Sequence, residues 1–141
     1  DEGRAPVLSA NAPWHRAIHH PGAMQMGYLR ELLEQVGWWK LHPAPRDGST
    51  PFIVDGPAYG PARIRAALAA DGAVALVYSP LGEPFTLRLT ALAGPRVRTR
   101  WYDPRYGLSY ELHAGAARAM QTYTPPTRGD EHDWVLVLES E

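Results

Sequence analysis

The sequence predicts a mainly β fold, an antiparallel sandwich of about eight short strands that follows one amphipathic α-helix. The first observation behind this prediction lies in residues 21–36, where apolar residues recur at the spacings of three and four that mark one face of a helix. The second is the remainder of the chain, roughly one hundred residues in which short apolar runs alternate with Gly and Pro. No second amphipathic helix is visible there, so sheet must form the main body of the protein.

The helix is predicted to begin at Pro21 and to end before Gly37. Proline suits the first turn because an amide hydrogen there would have no partner within the helix, and glycine commonly ends helices. Its apolar face consists of Met26, Leu29, Leu33 and Val36. A sandwich already covers the inner faces of its own two sheets. We therefore expect this helix face, together with Trp38 and Trp39, to pack against a separate domain.

The strand predictions rest on short apolar runs bounded by turn residues. Asp71-Gly72 separates two of them, and glycine tolerates the positive φ that a tight hairpin requires. Residues 64–70 are rich in alanine and resemble a helix by composition, but the turn and the apolar run after them complete a hairpin, so we assign a strand. The predicted strands are residues 52–54, 64–70, 73–79, 85–89, 97–102, 109–113, 119–123 and 134–139.

Composition excludes several classes of function. The formal charge of −1 argues against a nucleic-acid surface, which needs an excess of Lys and Arg. No apolar run approaches the roughly 18 residues of a membrane-spanning helix. The chain has no cysteine, which excludes disulfides, thiolate zinc sites and cysteine nucleophiles. With 141 residues, the chain suits one domain, or one small domain plus an appendage. A Pro- and Gly-rich stretch from residue 42 to 51 is the best boundary.

No catalytic arrangement is recognisable. The serines lack the Gly-x-Ser-x-Gly context of a nucleophile, and no phosphate-binding glycine loop is present. Glycoside hydrolysis requires two carboxylates facing each other in a cleft, whereas the aspartates at 55, 71, 103 and 133 fall in predicted turns or at strand ends. We predict no catalytic residue and no cofactor for this chain.

Two clusters of possible metal ligands are also set aside. His15, His19 and His20 lie in a predicted loop with no carboxylate nearby. The acidic residues 130–133 do not match the spacing of a calcium loop. We predict no metal site.

Aromatic residues are better candidates for binding. The aromatic residues that could stack on the apolar faces of sugar rings are Trp101, Tyr102, Tyr106, Tyr110 and Tyr123. Strand alternation should bury either Trp101 or Tyr102 in the core, whereas Tyr106 falls in a predicted turn and should be exposed.

Several motifs resemble known enzymes. Trp14-x-x-Ala-Ile, Pro21-Gly-Ala-Met-Gln-Met and Trp38-Trp39-x-Leu41 are similar to the end of the catalytic barrel in apiosidase-like glycoside hydrolases. Residues 71–80, 97–107, 123–126 and 133–139 resemble the C-terminal β-sandwich of these bacterial enzymes, which bears the label of a collagen-binding domain. The resemblance extends from Trp14 to the end of the chain.

The resemblance implies a division of the chain. Residues 1–45 would comprise a loop, the last helix of a missing TIM-type (β/α)8 catalytic domain and a linker, and residues 46–141 the accessory sandwich. Such enzymes act on plant cell-wall polysaccharides with carboxylates on barrel strands, which this chain lacks. Trp14 and His20 would lie at the barrel mouth and join Trp101, Tyr102 and Tyr106 as candidate carbohydrate contacts. A secreted or periplasmic location is also implied.

Three hypotheses follow from these observations. The first is a non-catalytic module that braces an N-terminal catalytic barrel, in the same or a separate chain, with an added contact to polysaccharide. The second is a free-standing carbohydrate- or collagen-binding module. The third is a fragment that is active only with a separate barrel chain. Nucleic-acid and membrane partners are not expected.

Overall fold

The computed structural model describes residues 12–45, 48, 50–116 and 119–141. Within them, a one-turn helix α1 (Trp14–Ala17) precedes the main helix α2 (Pro21–Val36), and two short 3-10 turns occupy Trp38–Lys40 and Leu89–Ala91. The strands are β1 (Leu41–Pro43), β2 (Ile53–Asp55), β3 (Arg65–Ala69), β4 (Val74–Ser79), β5 (Phe85–Leu87), β6 (Arg96–Asp103), β7 (Leu108–Ala116), β8 (Gln121–Tyr123) and β9 (Trp134–Ser140). The predicted fold class, an antiparallel β-sandwich after one amphipathic helix, is confirmed.

The strands form two sheets of unequal size. The large sheet has the order β1-β3-β4-β9-β6-β7, and the small sheet has the order β2-β5-β8. All pairings are antiparallel. The long strands β4, β9 and β6 lie side by side in the middle of the large sheet. The small sheet packs on one face of these strands and α2 on the other.

The core between the sheets is rich in aromatic residues. Trp101 of β6 and Trp134 of β9 point inwards from the large sheet, and Phe85 and Tyr123 reach them from the small sheet. The Trp101 ring meets those of Phe85 and Trp134 edge to face, with centroids 6.0 and 6.3 Å apart. Such geometry is favoured because the positive ring edge meets the negative ring face.

Helix α2 packs on the outer face of the large sheet. Leu32 and Val36 are buried there, with Tyr28 partly buried beside them. Their partners on the sheet are Ala69, Val74, Leu76, Tyr102, Val135 and Val137, with Leu41 at the edge. The expectation that the sandwich offers no surface to this helix was therefore wrong, and Val36 packs within the chain. Residues 134–138 of β9 are all apolar, so the strand has an apolar outer face as well as an apolar inner face, and both are buried.

The local predictions agree closely with the structure. Helix α2 begins at Pro21, and Gly37 ends it in the left-handed conformation with φ 70°. Each predicted strand overlaps an observed one, including the alanine-rich β3, whose hairpin with β4 turns through Asp71-Gly72.

Two elements were missed. Strand β1 lies in the predicted linker and pairs with β3, with Leu41 opposite Ala69. The short helix α1 lies in the segment expected to be a loop. The loop predicted for residues 1–11 lies outside the described residues, as do residues 46, 47 and 49 of the predicted linker.

The packing of α2 can be tested with two matched substitutions on the helix. Leu32 is 1% exposed and Leu29 is 38% exposed. We expect Leu32→Ala to lower the free energy of unfolding by about 2–4 kcal/mol, because it leaves a cavity between helix and sheet. Leu29→Ala should cost less than about 1 kcal/mol. Urea denaturation measures both, and equal effects would show that α2 does not pack on the sheet in solution.

Buried Tyr123 should make stability fall at alkaline pH. Burial raises the pKa of its hydroxyl from 10.0 to about 12, and within the described residues that hydroxyl has no hydrogen-bond partner. As the pH rises, the hydroxyl loses its proton in the unfolded chain before it does so in the folded chain. The contribution of neutral Tyr123 to the free energy of unfolding is therefore fully present below pH 10 and is lost as the pH rises to about 12. Tyr123→Phe should make this decline shallower, whereas Tyr106→Phe, at an exposed position, should not. Unfolding free energies measured across this pH range would distinguish the two variants, and identical profiles would contradict the assignment.

Candidate functional site

One face of α2 remains uncovered and forms an apolar groove. We call it the helix groove; it has a volume of about 350 Å³ and is lined by Met26, Leu29, Leu33 and Trp38, with Arg30 and Glu34 at its rim. Met26 is 62% exposed and Trp38 is 57% exposed. Arg30 Nε donates a 2.7 Å hydrogen bond to Glu34 Oε1 across one helical turn. The groove thus has an apolar floor and a polar edge.

The helix exposes this groove because it has two neighbouring apolar faces. Successive residues of an α-helix are about 100° apart, so Leu32 and Leu33 cannot face the same way. Tyr28, Leu32 and Val36 face the large sheet, which turns the stripe of Met26, Leu29 and Leu33 away from it. The sheet therefore fixes the direction in which the groove points.

The residues predicted for interdomain packing separate into two groups. Met26, Leu29, Leu33 and Trp38 line the helix groove. Trp39 is exposed beside them, with its ring edge to face against that of Trp38 at 6.4 Å. Val36 is the exception, since it is buried against the sandwich.

A second region of interest centres on Arg105 in the turn between β6 and β7. Its Nε and Nη2 atoms donate hydrogen bonds of 2.8 and 2.7 Å to the two carboxylate oxygens of buried Asp103. These hydrogen bonds are the main reason why the pKa of Arg105 lies above its ordinary value. The guanidinium carbon lies 5.2 Å from the ring centroid of Trp134 and 5.8 Å from that of Tyr106. The ion pair and both rings hold this turn in one conformation.

The loop before β9 is attached to the same arginine. Arg105 Nη1 donates to the carbonyl oxygen of Glu131 at 2.8 Å and to His132 Nδ1 at 3.0 Å. An arginine can only donate, so Nδ1 accepts and the proton of a neutral imidazole lies on Nε2. Thr127 Oγ1, which accepts a 3.0 Å hydrogen bond from Trp134 Nε1, also lies 3.0 Å from His132 Nδ1. The loop is thereby fastened to the core.

A cavity of about 620 Å³ lies between this loop, the β6–β7 turn and the start of α2. We call it the polar cavity; its lining residues are Pro21, Gln25, Arg105, Tyr106, Glu131, His132 and Asp133. The turn approaches the helix so closely that a Cβ atom at Gly107 would lie 2.8 Å from the Tyr28 ring, and Gly107 has φ 69°. Only glycine meets both conditions.

A third groove, of about 370 Å³, connects the two features. Met26 and Leu29 of the helix groove line it on one side, and Arg105 and Asp133 of the polar cavity on the other. The apolar and polar surfaces are therefore continuous along the first half of α2.

The predicted carbohydrate contacts have different surroundings. Tyr106 is 66% exposed in its turn, as expected, and lines the polar cavity. Trp101 and Tyr102 are corrections: both are buried, on opposite faces of β6, because α2 covers the face that carries Tyr102. The Tyr102 hydroxyl donates a 2.8 Å hydrogen bond to the carbonyl oxygen of Tyr28. Neither ring offers a face to a ligand.

The two candidates from the N-terminal segment lie elsewhere. Trp14 and His20 are exposed, and neither lines the polar cavity. The sequence analysis missed Gln25, Arg105 and His132, which line it. Each belongs to a different segment, so no local motif unites them. The predicted turn at Tyr106 and the acidic cluster at residues 130–133 were the sequence features that pointed towards this region.

The residues that the structure describes contain no group of three or more His, Asp or Glu residues that could hold a metal ion. They also contain no helix that is long and apolar enough to cross a membrane.

Comparison with solved structures shows a shared fold. A protein titled "Glycoside hydrolase" superposes with a TM-score of 0.81 at 20% identity, over 100% of this chain and 30% of its own. A glycoside hydrolase family 5 protein from Bacteroides vulgatus ATCC 8482 gives 0.80 at 21% identity, over 98% of this chain and 29% of its own. The match thus includes α2 as well as the sandwich, and this chain spans less than a third of either structure.

Sequence comparison gives the family. No curated protein sequence matches the chain. A family model described as "Putative collagen-binding domain of a collagenase" matches residues 44–139, from the end of β1 to the last strand. Since this match spans more than half of the sequence, the chain belongs to that domain family.

Proposed function

We propose that this chain is the non-catalytic accessory β-sandwich of a bacterial apiosidase-like glycoside hydrolase that acts on plant cell-wall polysaccharide. Its main task would be to brace the catalytic barrel through the helix groove. The observation that supports this proposal most directly is the continuous apolar surface formed by Met26, Leu29, Leu33 and Trp38. Contiguous apolar surface of this kind often marks an interaction site in a soluble protein.

The composition of the groove fits a lasting protein contact. Methionine and tryptophan are enriched in the buried centres of interfaces, whereas charged residues belong to the rim. The Arg30–Glu34 pair has that rim position beside Leu33 and Trp38. Since the sandwich holds the opposite side of α2, a barrel seated in the groove would be fixed relative to the sandwich through one shared helix.

The comparisons support a partner of the same kind. Both superposed proteins carry the name glycoside hydrolase, and about 70% of each lies outside the match. A barrel occupying that remainder would carry the catalytic carboxylates. For this chain, the barrel would be supplied by the same polypeptide or by a separate one.

The alternative functions differ in what they require of the groove. A free-standing carbohydrate- or collagen-binding module, which the family description suggests for collagen, would leave the groove without a partner. A fragment that becomes active with a separate barrel chain would use the groove in the same way as the proposed module. We favour the bracing module over the free-standing module because it accounts for the exposed groove.

The bracing proposal is tested by the affinity of this chain for the catalytic barrel encoded with it. We expect Leu29→Asp to weaken association at least about tenfold, because it places a carboxylate in the apolar floor of the interface. The matched control is Tyr59→Asp, at a position that is 87% exposed and outside the groove. Titration calorimetry with both variants measures the difference.

Two outcomes would contradict the proposal. Equal affinities of Leu29→Asp and Tyr59→Asp for the barrel would show that the groove is not the interface. Hydrolysis of a polysaccharide by this chain alone would show that the chain is catalytic.

A further inference from the structure

We propose that the polar cavity is a binding subsite for one neutral sugar residue, with Tyr106 as its stacking surface. The cavity is lined by residues of α2, the β6–β7 turn and the loop before β9. Sugar binding at this place does not depend on the proposed barrel. Only the role of the subsite in substrate capture rests on the proposed function.

The cavity has the size and the groups that a sugar ring requires. Its volume of about 620 Å³ is within the range of small-molecule sites. The exposed ring of Tyr106 offers an apolar surface for the C–H face of a sugar. Gln25 supplies an amide donor and acceptor, His132 an Nε2–H donor, and Asp133 a carboxylate acceptor. Sugar hydroxyl groups can bond to each of these groups.

The stacking surface is rigid before any ligand arrives. One face of the Tyr106 ring lies over the guanidinium group of Arg105, which Asp103 and the Glu131 carbonyl hold in place. The Tyr78 hydroxyl donates a 3.2 Å hydrogen bond to Asp133 Oδ2 and fixes that carboxylate as well. A preformed site spends little free energy on ordering its own side chains when it binds.

The charge of the cavity selects for a neutral ligand. The positive charge of Arg105 is compensated by its ion pair with Asp103. Glu131 and Asp133 add two further carboxylates to the lining. A uronic acid would bring its own carboxylate close to these groups, and like charges repel each other. Neutral pentoses and hexoses avoid this cost.

The position of the cavity gives the subsite a role in the parent enzyme. In a TIM-type barrel the helices begin at the face that carries the active site. If α2 is the last helix of such a barrel, Pro21 marks that face, and Pro21 and Gln25 both line the cavity. A sugar held by Tyr106 would then lie beside the mouth of the barrel, as part of a polysaccharide that extends from the active site.

The test is a titration of this chain with neutral and acidic oligosaccharides of similar length. The neutral probes are arabino- and galacto-oligosaccharides, and the acidic probe is an oligogalacturonide. We expect the neutral probes to bind in the range of about 0.1–5 mM, and the acidic probe at least about tenfold more weakly. Tyr106→Ala should weaken neutral binding at least about tenfold, whereas Tyr59→Ala, the control for an exposed tyrosine outside the cavity, should change it less than about twofold.

Several results would overturn the inference. These are no heat and no NMR shift changes with either neutral probe up to about 20 mM, equal losses in Tyr106→Ala and Tyr59→Ala, or tighter binding of the oligogalacturonide. Both tyrosines are exposed, so matching thermal midpoints would confirm that the variants fold. Trp38→Asp separates the two proposals, because Trp38 lines the helix groove but neither the polar cavity nor the groove that connects them. It should weaken barrel association at least about tenfold and leave sugar binding unchanged. If the unmodified chain associates with the barrel but binds neither neutral probe, the subsite is overturned and the bracing proposal stands.

Discussion

The packing of α2 on the outer face of the large sheet is the contact on which the rest of the structure depends. Strand β9 has the continuous apolar run Trp134-Val-Leu-Val-Leu, so its two faces both need cover from water. The small sheet covers the inner face, and Leu32 and Val36 cover the outer one. The result is three layers, a helix, a large sheet and a small sheet, with the large sheet in the middle.

Both candidate surfaces follow from this contact. The helix axis is fixed by Leu32 and Val36, and this turns Met26, Leu29 and Leu33 towards solvent as the helix groove. The same contact brings the first half of α2 against the β6–β7 turn. There the Tyr28 ring meets Gly107, and the Tyr102 hydroxyl bonds to the Tyr28 carbonyl. The polar cavity lies beside this junction and loses one wall if the helix moves away.

What the sequence could predict was local, and what it could not was decided by segments far apart in the chain. Pro21, Gly37 and Asp71-Gly72 specify their own turns and helix ends, so these boundaries were predicted correctly. Strand β1 has three residues and includes a proline, and it exists only because the edge of β3 accepts it. The burial of Tyr102 in β6 depends on α2, which lies far away in the sequence, before β1. One local signal does report on distant packing: an apolar run without alternation, as in β9, indicates a strand covered on both faces. In the candidate site, Tyr106 was identified from its turn, whereas Gln25 and His132 join it only in the folded chain.

The two surfaces on α2 suit contacts of different lifetime. The free energy gained by burying apolar surface grows with the area removed from water, so the helix groove favours one large and lasting partner. The polar cavity is lined by groups that remain well hydrated when empty, so a neutral sugar there would exchange water bonds for similar ones and bind reversibly. Gln25 and Met26 are adjacent in the helix, yet the first lines the cavity and the second the groove. Because Leu32 and Val36 already fix α2 on the large sheet, the helical wall of the cavity is in place without a barrel, and the two surfaces can be occupied independently.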